Sequence, residues 1–518
     1  MDFFTNCKPA DWKTGFEPRL SVESAMPHEE YAGPIEMSGN DKRQYRLIRL
    51  PNNLVALCVQ DSESEEASVS LSVGVGSNAN SAQLQGLAHF LEHMFTSNPA
   101  HPHSQFTTGN VQSLRDAASE LGLNLRDEMT KFYEKYYSAD IMRLVVVGNH
   151  SLDVLTEWTV SKFSAVKSKG NTTPNIDCRL LSSAEIGKVV RYKTVGEQYQ
   201  LELQFSIPEI KSAYRHKPFG YISSLLVHEG PGSIFSVLRN NGWATSLLAK
   251  PYDENSNGFG HFRIGVTATP KGLEEYQAIV SLIFAYVQML KEQGPQEWYF
   301  QELALVKKAK YDYKAREDVC DYACDITSRS HNKYVPPNHI LSHSELLGNY
   351  DAELISACLH FINPQNYRLF IGAQEHKSVD CHLKEKHYDI LHHIADLPVC
   401  LTSDECAGSA SGESIHLPAR NVFLPDNFTV AKLATAADKP TSEPTLLRKN
   451  DKYEVWFKQD DQFFTPHGCI SLIISSETTD NSPINQVLSQ LFIQLATSKL
   501  NEEFYDASQA NASWALGE

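Results

Sequence analysis

The chain has 518 residues, 42 % of them hydrophobic and 21 % charged, with a formal net charge of −17. This is a globular balance, long enough for several domains. It argues against nucleic acid and anionic membrane as main partners, because both require a basic face, and it admits a neutral or cationic peptide.

Residues 1–40 read as an irregular N-terminal extension, with acid pairs and prolines and no sustained period. No basic start leads into an apolar core, and no apolar run reaches the length of a membrane span, so the cytoplasm is the expected compartment. Arg46–Leu50 and Leu54–Val59, joined by Pro51-Asn52-Asn53, predict a hairpin. Val69, Leu71, Val73 and Val75 then alternate with Ser68, Ser70, Ser72 and Gly74, which predicts a core strand with one apolar face. A helix is expected from about Ser81, with Leu84, Leu87, Ala88, Leu91 and Phe95 on its core stripe. His89, Glu92 and His93 fall on the opposite stripe. Downstream, Met142–Gly148 reads as a buried strand, Ser151–Phe163 as an amphipathic helix and Tyr199–Ile207 as an alternating strand. Residues 272–293 and 296–316 read as long helices. Strand and helix signals alternate irregularly, which indicates an α+β fold. Residues 403–414 read as a loop, 417–446 as a linker, and a new unit starts at Tyr453. The ten cysteines form no CxxC pair. Cys320 and Cys324, one turn apart, are read with the others as reduced structural thiols.

The segment His89-Phe90-Leu91-Glu92-His93 carries the chemistry. Two histidines four residues apart on a helix can reach one metal ion. A glutamate next to the second histidine shares their face, where it can accept a proton from metal-bound water and pass it to a leaving amine. H-x-x-E-H is the inverted form of the zinc-peptidase motif. The competing view is a chance surface cluster. Placement after a strand, on the face opposite the helix's apolar stripe, weighs against chance.

Gly86-Leu87-Ala88-His89-Phe90-Leu91-Glu92-His93-Met94 resembles the insulinase (pitrilysin-like, inverzincin) family of zinc metallopeptidases, and within it the insulin-degrading and fungal a-factor-processing branch. Further matching strings follow in family order: Tyr45-Arg46 with Leu50-Pro51-Asn52, Phe106–Asn110, His228–Ser233, Gly294–Trp298 and Trp456–Asp461. The resemblance implies repeated insulinase-type domains, each an antiparallel-rich sheet packed with helices. It implies Zn2+ as cofactor, His89 and His93 as ligands, Glu92 as general base, and peptides as substrates. It also implies a substrate-holding exosite at His228, Gly230 and Gly232 together with Gly258, Phe259 and Gly260, for which a glycine-rich turn opening a helix is the plainer account. His382, His387, His392 and His393 form no comparable pattern and are expected at the surface.

The sequence departs from the family immediately after the motif. His93–Ser97 runs almost directly into Asn98-Pro99-Ala100-His101-Pro102, where the family carries a longer stretch with a glutamate third ligand and a substrate-pairing strand. Glu120, Glu128 and Glu134 belong to later family positions and are not ligand candidates. His101 and His103 could lend a replacement ligand, although a solvated loop is the simpler reading. The expected organisation is an extension at 1–40, a shortened catalytic domain at 41–190, a second domain at 191–410, a linker at 411–450 and the start of a truncated third domain at 451–518. That truncation predicts exposed apolar surface near Leu488–Leu500 and self-association through it. The expected function is zinc-dependent hydrolysis of short or unfolded peptides with impaired activity. The alternative is a non-catalytic remnant, or a splice or gene-model variant, that binds peptides or a partner. A structural subunit is a weaker third option, because the motif is intact.

Overall fold

The computed structural model describes residues 7–81, 83–96, 111–175, 181–252, 259–376, 381–385, 389–403, 414–430, 443–460, 465–474, 482–513 and 515–516, with only the backbone course described at 93–96 and 111–113. Residues 16–31, expected to be an irregular extension, are instead two strands, β1 (Phe16–Leu20) and β2 (Pro27–Tyr31). They form the outer hairpin of a sheet, where polar side chains and prolines are tolerated. Arg49 pairs with Glu29 at 2.5 Å and Arg46 with Glu30 at 3.4 Å, and Trp12, Phe16 and Tyr31 pack against the core beneath.

β3 (Gln44–Arg49) and β4 (Val55–Gln60) make the expected hairpin. β5 (Ser68–Val73) leads to α1 (Leu87–Thr96), α2 (Val111–Glu120) and α3 (Leu125–Tyr136). The chain then returns through β6 (Met142–Gly148) to α4 (Leu152–Phe163), which Ser151 caps by accepting from the Val154 N–H. The first sheet has the order β1-β2-β3-β4-β6-β5 and is antiparallel except where β4 runs parallel to β6.

A second sheet follows. β7 (Lys188–Tyr192) and β8 (Tyr199–Ile207) precede α5 (Pro218–Leu226) and α6 (Ile234–Asn240), then β9 (Ala244–Tyr252) and β10 (Gly260–Ala268). Helices α7 (Pro270–Glu274), α8 (Tyr276–Gln293), α9 (Glu297–Asp312), α10 (Val319–Arg329) and α11 (Ala352–Leu359) lead to β11 (Tyr367–Gly372), β12 (Leu383–Lys384) and β13 (Leu391–Asp396). Its order is β12-β13-β7-β11-β8-β10-β9. The two sheets repeat one pattern. β7 runs parallel to β11 and β11 antiparallel to β8, as β4 runs parallel to β6 and β6 antiparallel to β5. β8 is thus the counterpart of β5. Outboard of β8 lie β10 and β9. Outboard of β5, among the described residues, no strand pairs.

The second sheet buries one large core, with Leu203, Phe205, Phe262 and Tyr367 fully enclosed against α5, α8 and α11. The first sheet is covered on both faces by smaller clusters. One lies under α4, through Leu155 and Val160. The other lies under α10, through Ala323, Ile326 and also Ile340. The expected division at residue 190 therefore fails for α10, which follows the second sheet's strands in sequence but packs on β5 and β6 of the first.

The alternating strand 68–73 also departs from expectation. Its serine face is the covered one. Ser72 Oγ donates to the Thr327 carbonyl at 3.1 Å and lies 2.7 Å from His331 Nε2, and Thr327 Oγ1 donates to the Ser70 carbonyl at 3.5 Å. Val69 and Leu71 point to the α4 side and are 58 % and 43 % exposed. α4 packs mainly on β3, β4 and β6.

Residues 421–518 with 312–315 form a separate unit. A hairpin of β14 (Thr445–Lys449) and β15 (Glu454–Phe457) starts within the stretch expected as linker. It is followed by α12 (Pro483–Glu503) and α13 (Tyr505–Gln509). Leu488, Leu491, Phe492 and Leu495 of α12 are exposed, as expected. Among the described residues no helix is long and apolar enough to cross a membrane. Of the free cysteines, Cys58, Cys358 and Cys381 are buried, whereas Cys320 and Cys324 are exposed and so are not core thiols.

Candidate functional site

The motif helix starts at Leu87 rather than near Ser81. Gly86, at φ +90°, turns the chain into it, and Asn80 Oδ1 accepts the Ala88 N–H at 2.9 Å, satisfying one of the donors that a helix start leaves open. Neither residue was singled out from sequence, although an Asn and a Gly ahead of an apolar-periodic run are a helix-start signal. Leu84, Leu87, Ala88 and Leu91 are buried, as their spacing predicts. Leu87, Ala88 and Leu91 pack with Phe132 and, partly, Met129, Tyr136 and Tyr137 at α3. Asn124 caps α3 by accepting from the N–H groups of Arg126 and Asp127.

On the other side of α1, His89 is half-buried and Glu92 is exposed. His93 lies one turn beyond His89 on the same helix backbone, and its side chain is outside the described atoms. Tyr137 is the unanticipated neighbour. Burial first, then the negative charge of Glu92, pushes its phenol above the ordinary tyrosine range. It therefore stays protonated at neutral pH, a neutral group beside the carboxylate.

A pair of helical imidazoles with the i, i+4 spacing is a donor set that suits zinc. Among the described residues, no group of three His, Cys, Asp or Glu side chains is gathered to complete such a site. His101, His103 and the junction between Ser97 and Asn98 lie outside the described residues.

The second candidate region is the turn between α5 and α6, two helices that both pack on β9. His228 is buried, and its Nδ1 accepts the Gly230 N–H at 3.1 Å. A Cβ at Gly230 would come within 2.7 Å of His228 Cε1. Gly232 sits at φ +78°, where a Cβ would meet His416 Nε2 at 2.3 Å, and its carbonyl accepts the His416 N–H at 3.0 Å. Ser233 caps α6 by accepting from Ser236 N–H at 3.1 Å. Internal packing thus accounts for both glycines and for the orientation of His228. Burial raises the Glu229 carboxyl above the usual carboxylate range, partly offset by Arg239. Gly258 lies outside the described residues. Phe259 precedes β10 and Gly260 opens it, and the pairing of β10 with β9 begins at His261. His261 stacks on Tyr252 with ring centroids 4.7 Å apart, and burial lowers its pKa. The motif helix and the glycine turn are attached to different sheets. Of the remaining histidines, the His382 ring lies tilted 5.0 Å from that of His393 on β13, and His387 is outside the described residues.

Comparison with known proteins agrees with this geometry. Residues 55–161 match the family described as Insulinase (Peptidase family M16), 124–305 the Peptidase M16 inactive domain, and 311–518 the middle or third domain of peptidase M16. The chain belongs to the insulinase family of metallopeptidases. It is 32 % identical over 415 residues to the A-factor-processing enzyme of Saccharomyces cerevisiae, covering 80 % of this chain and 40 % of that protein. It is 32 % identical over 429 residues to a nardilysin-like protein of Arabidopsis thaliana, covering 82 % and 41 %. Human insulin-degrading enzyme is 30 % identical over 421 residues, covering 81 % and 40 %. The chain thus spans about two fifths of the length of these relatives. The crystal structure of pitrilysin shares the fold, with a TM-score of 0.73 at 22 % identity over 96 % of this chain and 60 % of that one.

Proposed function

We propose that the chain is a zinc-dependent endopeptidase for short or unfolded peptides, with His89 and His93 as metal ligands and Glu92 as general base, and that it works far below the capacity of a complete site. The observation that carries this reading is the placement of the motif. α1 buries Leu87, Ala88 and Leu91 against α3 and leaves Glu92 exposed on the other side. The helix is anchored by one face and its chemistry is open to a substrate.

A bound zinc would polarise the scissile carbonyl and bring the pKa of its water toward neutrality. The remaining work falls to the chain. His89 and His93 would donate to the metal as neutral imidazoles. Glu92, as a carboxylate, takes the water proton and returns it to the leaving nitrogen. Tyr137, held protonated, adds no competing base beside it.

Two observations support reduced capacity. The first is a reading of the resemblance: His93–Ser97 runs almost directly into Asn98–Pro102, which implies that the family's glutamate-bearing stretch is missing. In the second sheet, the counterpart of β5 carries two further strands, and in the first sheet no described strand takes their place. Zinc held by two side chains binds more weakly and with less fixed geometry than by three. A peptide also loses the backbone pairing that would hold its scissile bond over the water. The same two observations favour the second reading, a non-catalytic remnant that binds peptides. His228, Gly230, Gly232, Phe259 and Gly260, with Gly258, are proposed as a peptide-holding exosite in either case.

Hydrolysis of a quenched fluorescent peptide by the purified chain with added zinc tests this. The expected result is slow turnover that chelator removes and that Glu92→Gln lowers by about 100-fold or more. Turnover indifferent to both would overturn the assignment. No turnover at all would leave the remnant reading.

A further inference from the structure

The first sheet ends in an edge that is unusually well suited to pairing. Among the described residues β5 pairs only with β6. Edge strands that remain in solvent usually carry lysine, proline, a bulge or a covering loop. β5 has none of these in Ser68–Val73. No Asp, Glu, Lys or Arg occurs between Ala67 and Phe90, in a chain of net charge −17. Its apolar side chains Val69 and Leu71 are exposed.

The ladder fixes which backbone groups are open. Gly74 N–H donates to the Ile141 carbonyl at 2.7 Å, in the same register that sets Ser72 opposite Arg143 and Ser70 opposite Val145. Hydrogen-bonded pairs alternate in an antiparallel ladder. The backbone groups of Ser68, Ser70 and Ser72 therefore turn toward β6, and those of Val69, Leu71 and Val73 turn outward. The Val73 carbonyl already accepts the Val75 N–H at 2.7 Å, which leaves one lone pair for a second donor. Val69 and Leu71 thus present both outward backbone groups and exposed side chains, while Val73 is half-buried against the core under α4.

The second sheet indicates what fits there. β8, the counterpart of β5, pairs on the same side with an antiparallel strand, β10. For β5 the sequence selects the occupant. Val69-Ser70-Leu71-Ser72-Val73 reads identically in both directions. A two-fold axis at Leu71 would set Leu71 against the partner's Leu71, and Val69 against the partner's Val73. All three apolar residues of each copy would then lie on one face. Serine would meet serine across the axis, and no like charges would be brought together, which is the condition for a self-complementary contact.

We propose that β5 is a homodimer interface, in which two copies of the chain join their first sheets antiparallel and edge to edge about Leu71.

Sedimentation of the full chain, with and without Leu71→Lys, tests whether a dimer exists and depends on this strand. Leu71→Cys and Val69→Cys under mild oxidation test the register. The exposed cysteines present in every variant give the background. The expected result is a dimer that Leu71→Lys converts to monomer. A disulfide between the substituted positions, located by peptide mapping, should form readily for Leu71→Cys and not for Val69→Cys, whose opposite neighbour is Val73. A monomer would overturn the proposal. So would a dimer that tolerates Leu71→Lys and gives no linkage at position 71, the pattern expected if α12 or a foreign peptide made the contact. If Leu71→Lys fails to fold, the cross-linking pair decides alone.

Discussion

β5 and β8 carry the same signal and meet opposite fates. Both alternate apolar and small or polar residues with a period of two, and each pairs antiparallel with the strand at the centre of its repeat's parallel pair, β5 with β6 and β8 with β11. In β8 the apolar members Leu201, Leu203, Phe205 and Ile207 are all buried, whereas in β5 Val69 and Leu71 are exposed and the serines are covered. The difference lies in the neighbours. β8 is interior to its sheet, and its apolar side belongs to the core that α5, α8 and α11 share. Among the described residues β5 ends its sheet, α4 packs mainly on β3, β4 and β6, and α10 arrives on the serine side. Alternation in a strand says that its faces differ. Which face is buried depends on what is available to cover it.

Three measurements would break or sharpen this contrast. The largest effect is expected at the well-covered strand. Phe205 is fully buried, with its ring 5.7 Å from Tyr367 and 6.2 Å from Phe284, so Phe205→Ala should cost about 3–5 kcal/mol in denaturant unfolding. A cost below about 1 kcal/mol would mean that the second core can collapse around the loss, and the contrast in coverage would carry little energetic weight.

A smaller effect is expected from His331, which ties the serine face of β5 to the segment after α10. Burial, then Arg143 and Lys211, lower its pKa from 6.5 to about 3. The unfolded chain therefore takes up a proton below pH about 6.5 that the folded chain refuses until pH about 3. The His331 contribution is full above the unfolded value and is lost as pH falls through that window. Because the residue keeps some contact with solvent, the loss is roughly 1–3 kcal/mol. His331→Asn should flatten the dependence of the urea midpoint on pH between those limits. An unchanged slope would place the acid sensitivity elsewhere, with His343, whose pKa burial lowers to about 4, as the next group to test.

The smallest effect is expected on the uncovered face. Leu71→Ser should change the stability of the monomer by less than about 0.5 kcal/mol, because its side chain leaves little apolar contact behind. A loss of about 2 kcal/mol in a dilute, monomeric sample would show that the face is covered after all.

Much of the fold was legible in the sequence. The hairpin at 44–60, β6, α4, β8 and the apolar stripe of α1 follow from short-range periodicity, and the structure keeps each of them. The two N-terminal strands were not legible. β1 and β2 owe their place to pairing at a sheet edge and to Arg46 and Arg49 meeting Glu30 and Glu29, contacts that no local period encodes. Of the candidate site, the shared helix of His89, Glu92 and His93 could be read from spacing, whereas Tyr137 could not, because it reaches Glu92 only through the packing of α1 on α3.

The sequence by itself therefore determined the class of fold, the family and the one motif with chemistry, since each rests on residue types at short, regular separations. Only the tertiary structure decided that α10 serves the first sheet, that Gly230 and Gly232 are required by His228 and His416, and that β5 turns its serines inward. Each of these depends on which distant surface arrives to exclude water, and the sign of a strand's amphipathicity carries no information about that.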